Sequence, residues 1–389
     1  GLLAVLTLAC GPSPQESPPA KAPEPAAPPP AAAVEPRPQA PSDDDLLFLE
    51  EVTGERALTF AREHNAVSEK ELTGDPGFRP LEARLFSIFS SKDAIPTPQV
   101  ANDKIRNYWT DAENPRGIWR ETTLAEYRKA KPAWTTILDV DALGKAEKES
   151  YVFKGATCLY PQYKRCLVSL SRGGGDAVIV RELDVDKKAF VPNGFTLPEG
   201  KSRIAWKDEN TVYVGMDFGP GSLTKSGYPR TSREWKRGTP LEKAPQIFEG
   251  KDTDIGAGCS RDWDHGRIRD ACARSIDFER SELVLLRDGK QVKIDKPEDA
   301  AIGLWDDEIL LRLRSDWTPA GTTFKKGSLV AGKLEAFLKG KRELALLFEP
   351  TKQTSLVGWS GAKSKLFVNV LSDVKNQVTV FSRQGGKWT

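Results

Sequence analysis

From about residue 100 to its end, the chain alternates apolar and polar side chains in short runs that turn-forming residues separate. This alternation is typical of half-buried β-strands, because successive side chains on a strand point to opposite faces. The runs include YVFKG, CLVSLS, AVIVREL, RIAWKD, TVYVGMD, ELVLLRDGKQVKI, EILLRLRS and KLFVNVLSD. The segments RGGGD, DEN, RDGK and SRQGG are typical of turns. The pattern predicts an all-β sandwich, barrel or propeller.

The segment before residue 100 has a different period. In residues 43–72, apolar side chains recur about every 3.6 residues behind an acidic start, which predicts an amphipathic helix. The apolar positions are Leu46, Leu49, Val52, Ala57, Phe60 and Ala61. A second amphipathic stretch covers residues 79–91. We therefore predict an N-terminal helical segment over residues 43–99, followed by a β domain over residues 100–389.

Three segments of the β domain share one layout, in which an apolar residue and a Trp precede a polar turn and a strand. Their tryptophans are Trp206, Trp305 and Trp359, with gaps of 99 and 54 residues. This spacing favours a repeat of about 50 residues with several strands, which is typical of β-propeller blades. The alternative is a coincidental spacing of unrelated strand-turn-strand units.

Residues 275–289 are interpreted as a degenerate copy of this layout, with Phe278 at the Trp position. On this basis we expect five or six blades from residue 100 onward. A propeller protects its sheet edges by closing its ring, whereas the last run, QVTVFSRQGGKWT, ends on a strand, a turn and the start of another strand. We therefore expect the propeller to be truncated before ring closure.

The stretch YWTDAENPRGIWRETTLAEY, residues 108–127, predicts a hairpin of the first blade. Asn114-Pro115-Arg116-Gly117 supplies a β-turn, because Pro presets φ at the second position and Gly tolerates the end. Both flanks alternate large apolar with polar residues. We expect a hairpin with one aromatic face, forming the inner part of the blade and packing against adjacent blades.

Residues 1–10, GLLAVLTLAC, form an apolar run that is too short to span a bilayer as a helix, which takes about 20 residues. The run is interpreted as the end of a secretory signal. It resembles a bacterial lipoprotein signal in which Cys10 would be lipidated, although Thr7 stands where Leu is preferred. A random apolar terminus is the alternative. We expect an exported protein of the bacterial periplasm or cell envelope, with membrane contact only through the lipid.

Residues 11–42 hold 12 of the 28 prolines and eight alanines, a composition that predicts a disordered, extended linker. We interpret it as a tether between a membrane anchor and the folded body. A proline-rich recognition ligand is the alternative. The formal charge of +2 gives no electrostatic case for binding nucleic acid or an anionic membrane surface.

Export permits disulfides, and four cysteines follow Cys10 as two pairs that are close in sequence. They are Cys158 with Cys166 and Cys259 with Cys272. Three pairings are possible, and we favour the nearest-neighbour one. A zinc site needs shorter spacings such as C-x2-C, so neither a metal nor a cofactor is predicted.

The sequence identifies no catalytic residue. G-x-S-x-G is absent, and the look-alike GWSGA at 358–362 falls in the repeated blade layout. His64 and His265 are the only histidines, and we expect both to be solvated or structural. The glycines at 173–175 are not followed by G-K-[ST], and DVDALG at 139–144 lacks the Glu that closes an EF-hand loop. Paired glycosidase carboxylates could exist among 55 acidic residues, but nothing singles out a pair.

The aromatic hairpin and the strand after it resemble the first propeller segment of the prolyl oligopeptidase family of serine peptidases. That family carries a D-x-x-N-P-R-G-x-W-R-x-T-x-x-x-E-Y run and then a W-x-x-x-L-D-x-D run. The matching residues are Asp111, Asn114, Pro115, Arg116, Gly117, Trp119, Arg120, Thr122, Glu126, Tyr127, Trp134, Leu138, Asp139 and Asp141. Residues 169–184, 195–208 and 215–230 are similar as well, and residues 46–65 resemble the family's N-terminal helix.

The resemblance covers about residues 43–389 and implies a seven-bladed propeller, incomplete here, that forms a lid over a C-terminal α/β-hydrolase domain. The N-terminal helices would pack on that domain. The implied activity is cleavage of short peptides after proline through a serine ester, with long or folded substrates excluded. The family's Ser, Asp and His lie in the hydrolase domain, so this chain alone is expected to be inactive. The alternatives are a propeller-only binding lipoprotein without catalysis and a glycosidase built on a propeller.

Overall fold

The computed structural model describes residues 42–51, 53–91 and 97–389. The chain forms two compact units, one ending at Ala83 and the other running from Arg84 to Thr389. The helices are α1 (Asp43–Leu46), α2 (Glu55–Thr73), α3 (Phe78–Phe89), α4 (Leu124–Tyr127), α5 (Val140–Glu147) and α6 (Leu334–Leu338), with 3-10 turns at Leu47–Glu50, Leu241–Lys243 and Pro319–Gly321. In these described ranges, no helix combines the length and apolar character that crossing a membrane requires. The predicted signal with Cys10, and the predicted linker apart from Ser42, lie outside them.

The single helix expected over residues 43–72 is interrupted. α1 and a 3-10 turn end before Gly54, which has an extended backbone and precedes α2. The apolar period continues through this break because the 3-10 turn and α2 both contribute side chains to one small aromatic cluster. Phe48 packs edge-on against Phe60 with 5.8 Å between ring centroids, and Arg56 covers Phe48 from 3.9 Å. Val52, one of the predicted apolar positions, lies outside the described residues.

Six antiparallel sheets follow, which we number as blades in chain order. Blade 1 contains β1 (Gln99–Ala101), β2 (Lys104–Trp109), β3 (Ile118–Thr123) and β4 (Thr135–Asp139). Blade 2 contains β5 (Tyr151–Cys158), β6 (Arg165–Arg172), β7 (Val178–Asp184), β8 (Ala189–Phe190) and β9 (Thr196–Gly200). Blade 3 contains β10 (Arg203–Asp208), β11 (Thr211–Gly215), β12 (Thr231–Lys236) and β13 (Gln246–Glu249).

The next three sheets continue the same order. Blade 4 contains β14 (Gly256–Asp264), β15 (Arg267–Ser275), β16 (Ser281–Arg287) and β17 (Lys290–Lys293). Blade 5 contains β18 (Ala301–Trp305), β19 (Glu308–Arg312), β20 (Leu329–Lys333) and β21 (Leu344–Phe348). Blade 6 contains β22 (Thr354–Gly361), β23 (Leu366–Ser372) and β24 (Lys375–Phe381), and a small hairpin of β25 (Arg383–Gln384) and β26 (Lys387–Trp388) follows.

The predicted repeat of about 50 residues is present, because successive blades begin 45 to 53 residues apart. The described residues form six blades of a β-propeller, at the upper end of the expected five to six. A seven-bladed ring stays a prediction.

The hydrophobic core lies between the blades. Each of five buried clusters joins side chains from two successive sheets, so every blade packs on its neighbour. On β19, Ile309 and Leu311 enter the cluster shared with blade 4, whereas Leu310 enters the cluster shared with blade 6. Both faces of β19 are therefore buried, which explains its nearly continuous apolar run.

The copy of the Trp layout assigned to residues 275–289 is wrong. Phe278 lies in the turn between β15 and β16 and is 94% exposed. The hairpin of blade 4 that corresponds to the Trp layout is β14–β15, where Trp263 stands opposite Ile268 next to the turn. The assignment failed because any strand-turn-strand unit shows the same polarity, whichever two strands of the blade it joins.

The aromatic hairpin of blade 1 also differs from expectation, because it presents aromatics on both faces. Tyr108 and Trp119 are paired across β2 and β3, and Tyr108 stacks on Phe153 of blade 2 at 4.5 Å. Trp109 follows Tyr108 on the strand and so faces the other way, where it and Trp134 both lie 4.4 Å from the Arg120 guanidinium. The hairpin is formed by the second and third strands of the sheet, so it is central in the blade rather than its inner edge.

Two tryptophans of the predicted layout fix the spacing between blades 5 and 6. Trp305 packs over Gly361 of blade 6 and donates a 3.1 Å hydrogen bond from Nε1 to the Ala362 carbonyl oxygen. In return, Trp359 packs over Gly303 of blade 5. The two glycines are therefore contact points at which a neighbouring indole occupies the space of a side chain.

We predict that Gly361→Ala destabilises the propeller, because a Cβ at this position would overlap with Cδ1 of Trp305. The expected loss in the free energy of unfolding is about 1–3 kcal/mol, the usual cost of overpacking. Urea unfolding followed by tryptophan fluorescence measures it. Gly358→Ala on the same strand is the matched control, because a Cβ there meets nothing within 4 Å. Equal stabilities of the two variants would contradict the prediction.

Candidate functional site: two faces of the propeller

The antiparallel order of every blade places its turns on two opposite faces. We call the face that carries the turns between first and second strands the first-turn face; these turns are residues 102–103, 159–164, 209–210, 265–266, 306–307 and 362–365. The opposite, second-turn face carries the turns between second and third strands and the connections between blades. Its turns are residues 110–117, 173–177, 216–230, 276–280, 313–328 and 373–374. The second-turn face includes the long loops of residues 216–230 and 313–328, while the first-turn face also carries the connections between third and fourth strands, of which residues 124–134, 237–245 and 334–343 are the longest.

On the second-turn face, the carboxylate of Asp111 organises the turn of blade 1. Its Oδ1 accepts hydrogen bonds from the backbone amides of Glu113 and Asn114 at 2.9 and 2.8 Å, and from Asn114 Nδ2 at 3.0 Å. Its Oδ2 accepts from Trp109 Nε1 at 2.9 Å. The bond from Trp109, together with those from Asn114 and Glu113, lowers the pKa of Asp111 to about 2.

A second carboxylate, that of Asp141 in α5, fixes the other end of this turn. It accepts from the backbone amides of Arg116 at 3.0 Å and Gly117 at 3.1 Å. Gly117 has φ of +92°, and the Tyr108 ring lies where its Cβ would be. The Tyr108 hydroxyl donates to the Arg116 carbonyl oxygen, and burial, with the charge of Asp141, raises the pKa of that hydroxyl to about 12. The residues that carried the family resemblance are therefore structural in this chain.

The long loops of the second-turn face are tied to neighbouring blades. Tyr228 donates from its hydroxyl to Asp176 of the blade 2 turn at 2.7 Å, and Ala257 donates from its amide to the Pro229 carbonyl oxygen at 2.7 Å. A cavity of about 300 Å³ adjoins the blade 1 turn; it is lined by Phe86, Phe89, Ser90, Thr110, Asp111, Ala112 and Pro115. This face therefore combines fixed loops with exposed aromatic surface near the end of α3.

Both disulfides join the first and second strands of a blade, one next to the first-turn face and the other midway along its hairpin. The structure bonds Cys158 to Cys166 and Cys259 to Cys272, the pairing favoured from the sequence. Each bond joins directly opposed residues of the first and second strands, in blade 2 and in blade 4. Each disulfide therefore closes the first hairpin of its blade.

His265 joins three blades on the first-turn face. Its Nδ1 contacts Oδ1 of Asp264, its Nε2 lies 3.0 Å from the Lys363 carbonyl oxygen of blade 6, and its ring meets Trp305 of blade 5 edge-on at 5.4 Å. Both partners of the ring nitrogens are acceptors, so only the protonated imidazolium satisfies both. Burial lowers the pKa of His265, but the hydrogen bond and charge of Asp264 outweigh it and raise the pKa overall.

Neither histidine belongs to a nucleophile-base pair in the part of the chain that the structure describes. His64 contacts the Phe60 carbonyl oxygen at 2.8 Å and stacks on the Phe60 ring, so it is structural, as His265 is. Within the same described residues, no three His, Cys, Asp or Glu side chains gather in a way that could hold a metal ion. Sequence reasoning missed Trp263 and Tyr160, which stack on the first-turn face, because the polar strand of Trp263 carries no repeat signal and Tyr160 lies in a turn.

We predict that Asp111→Asn lowers the free energy of unfolding by about 1–2 kcal/mol at neutral pH, because hydrogen bonds to a charged acceptor are lost. The folded-state pKa of Asp111 is depressed to about 2, so its contribution is present above its ordinary value and disappears as the pH falls through 2. The gap between wild type and variant should therefore close with acidification in urea unfolding. Asp103→Asn, at an exposed turn, is the control. A gap that does not change with pH would contradict this.

We predict the opposite pH dependence for His265. Its folded-state pKa is raised, so the stabilisation is fully present below its ordinary pKa of about 6.5 and is lost as the pH rises through the raised value. Unfolding at about pH 5.5 and about pH 8.5 brackets the titration range of histidine. His265→Gln should cost about 1 kcal/mol at the lower pH and less at the higher one. His64→Gln, the other histidine, is the control, and an identical response of both variants would overturn the prediction.

Comparison with known proteins gives one consistent result. Residues 25–389 match the family model described as prolyl oligopeptidase, N-terminal beta-propeller domain. The chain is 38% identical over 359 residues to the uncharacterized peptidase y4nA of Sinorhizobium fredii, covering 90% of this chain and 49% of that protein. It is 30% identical over 365 residues to the uncharacterized peptidase RP174 of Rickettsia prowazekii, covering 88% and 50%.

Among solved structures, a post-proline cleaving enzyme from Rickettsia typhi is similar with a TM-score of 0.82 and 29% identity, covering 90% of this chain and 53% of that one. The chain thus spans about half the length of the relatives that it matches.

Proposed function

Because this chain belongs to the prolyl oligopeptidase family of serine peptidases, as its N-terminal β-propeller domain, we propose that it filters substrates for a peptidase that cleaves short peptides after proline. The observation that carries the proposal is the match over residues 25–389, together with the similarity to an enzyme described as post-proline cleaving. The reaction would be acyl transfer through a serine ester, activated by a histidine base.

The catalytic groups of this proposal belong to a hydrolase domain outside residues 1–389. The chain has no G-x-S-x-G, and it covers about half of each relative, so the triad would be contributed by the other half. The role left to the propeller is physical, because its blades and their loops would limit the size of the peptides that reach the serine.

The N-terminal helices offer surface for docking that hydrolase domain. Val67, Leu72 and Leu81 are each more than half exposed in the first unit. The same unit holds a cavity of about 510 Å³ beside Phe48 and Phe60. Covering these groups with an apolar partner surface would remove them from water, at about 25 cal/mol per Å².

We further propose that the protein is exported in a bacterium and anchored through Cys10. The two disulfides support export, since such bonds persist in oxidising compartments. Cys10 lies outside the described residues, so the lipid is inferred from the sequence alone. A propeller-only binding lipoprotein is not favoured, because both curated relatives are described as peptidases.

The test is a peptidase assay on the full-length protein, encoded by the reading frame continued past Thr389. We expect hydrolysis of a Z-Gly-Pro fluorogenic amide, abolished by a serine-reactive phosphonate, and at least tenfold slower hydrolysis of the matched Z-Gly-Ala amide. Residues 1–389 alone should hydrolyse neither substrate. A full-length protein without phosphonate-sensitive cleavage would contradict the peptidase, and equal rates on the two amides would contradict the proline preference.

A further inference from the structure

The two disulfides have the same backbone setting but different surroundings. Each joins directly opposed residues of the first and second strands of a blade, with Cα atoms 4.0 Å apart. Their sequence separations are 8 and 13 residues, and the effect of a cross-link on the unfolded chain varies only with the logarithm of loop length. Differences in the chemistry of the two bonds therefore depend on neighbouring groups.

A buried cation lies against the disulfide of blade 2. Arg106 of β2 is 5% exposed, and its Nη1 lies 3.4 Å from Sγ of Cys158 and 3.9 Å from Sγ of Cys166. The same nitrogen donates a 2.8 Å hydrogen bond to the Tyr163 carbonyl oxygen, which holds it beside the sulfurs. Glu121 offsets part of the charge from the Nε side, 3.0 Å away, while the Nη1 end faces the disulfide.

The disulfide of blade 4 has apolar surroundings. Cys259 and Cys272 are both buried, in a hydrophobic cluster with Tyr213 and Phe248. Their bond lies midway along its hairpin, with paired residues on either side. The bond of blade 2 lies at the end of its hairpin instead. There Cys158 is the last residue of β5 and is partly exposed, whereas the other three disulfide cysteines are buried.

Accessibility and charge both favour reduction of the blade 2 bond. Thiol–disulfide exchange begins when a thiolate attacks one sulfur, and it is faster when the other sulfur departs as a stabilised thiolate. Attack from solvent reaches Sγ of Cys158, so the departing sulfur is that of Cys166, beside the Arg106 guanidinium. A neighbouring arginine stabilises a thiolate and has little effect on a neutral disulfide. The cation therefore favours the reduced form as well as its formation.

We propose that Cys158–Cys166 is a redox-active site, which a dithiol reductant opens before it opens Cys259–Cys272. In the first step, a thiolate of the reductant bonds to Sγ of Cys158, the bond between Cys158 and Cys166 breaks, and its electron pair stays on Cys166. The second thiol of the reductant then attacks the mixed disulfide and releases Cys158. The dithiol loses two electrons and two protons and becomes a disulfide. Cys158 takes up one proton, and the other goes to solvent while Cys166 stays a thiolate beside Arg106.

Opening this bond releases the base of the blade 2 turn. Residues 159–164 then depend on non-covalent contacts with two other blades. Asn102 and Arg106 of blade 1 donate hydrogen bonds to carbonyl oxygens of the turn at 2.6 and 2.8 Å, and Tyr160 stacks on Trp263 of blade 4. The partner that this site fits is therefore a dithiol, and the segment that its action loosens is this turn. The inference does not depend on the proposed peptidase activity.

The test is a redox titration of the folded full-length protein in mixtures of reduced and oxidised dithiothreitol. Acid quenching and differential alkylation report each bond by mass spectrometry, because the four cysteines lie on separate tryptic peptides. We expect Cys158–Cys166 to be half-reduced at a ratio of reduced to oxidised reagent about tenfold lower than Cys259–Cys272. Equal ratios or the reverse order in the wild type would overturn the proposal without any variant.

Variants of Arg106 test the cation. Arg106→Met keeps much of the side-chain volume and should bring the two bonds to within about threefold of each other, because the thiolate loses its counter-charge. Arg106→Lys keeps the charge and should stay closer to the wild type. A variant that merely loosened the blade would make the bond easier to reduce, which is the opposite change. Arg261→Met is the matched control, since Arg261 pairs with Asp270 at 2.7 Å in the first hairpin of blade 4; it should leave the blade 2 ratio unchanged.

Glutathione tests the direction of attack, because a monothiol forms a mixed disulfide that acid quenching preserves. The glutathione should be found on the peptide that contains Cys158. Equal amounts on both peptides, or an excess on that of Cys166, would contradict attack at the exposed sulfur. An unchanged titration in Arg106→Met would contradict stabilisation by the cation. Neither readout involves peptide hydrolysis, so the outcome is separate from that of the peptidase assay.

Discussion

The burial of both faces of each blade against its neighbours is the constraint on which this structure depends. A propeller sheet has no core of its own, so alternate residues of one strand belong to different interfaces. Tyr213 on β11 packs towards blade 4, whereas Val212 and Val214 beside it pack towards blade 2. A slip of one residue would exchange the two sets, so pairing register is fixed by both neighbours at once.

Buried ion pairs also fix the arrangement of successive blades and of the connections between them. Glu182 of blade 2 is fully buried, and Arg237 of blade 3 contacts its two carboxylate oxygens at 2.8 and 3.1 Å. Asp254, in the connection before blade 4, is held by Arg274 through two 2.8 Å hydrogen bonds. Each bidentate pair fixes an orientation as well as a distance, which apolar packing alone does not do. The loss of Arg237 would leave the buried Glu182 carboxylate with only the more distant Arg165, at 3.6 Å.

Much of this architecture could be predicted from the sequence, because inter-blade packing leaves a strong local signal. Apolar second strands and recurring tryptophans identified the repeat, its length and the β-propeller. Phe278 was misplaced because the polarity of a hairpin does not reveal which strands of a blade it joins. Trp263 was missed because its strand, GCSRDWDHG, is polar where the other copies are apolar. Tyr160 and Trp263 are about a hundred residues apart and belong to blades that are not neighbours, so no local pattern could bring them together.

The residues that made the family recognisable do not perform its chemistry. They build the turn of blade 1, in which the carboxylates of Asp111 and Asp141 accept hydrogen bonds from the backbone amides of Asn114 and Gly117. These amides need an acceptor for the turn to be stable, independently of any catalytic role of the protein. The role that we propose for the propeller is therefore to admit or bind peptides rather than to cleave them. The turns between first and second strands are short, whereas those between second and third strands include the long loops of residues 216–230 and 313–328. Exposed side chains that the blades hold in place on these two faces are the contacts through which we propose that the propeller acts.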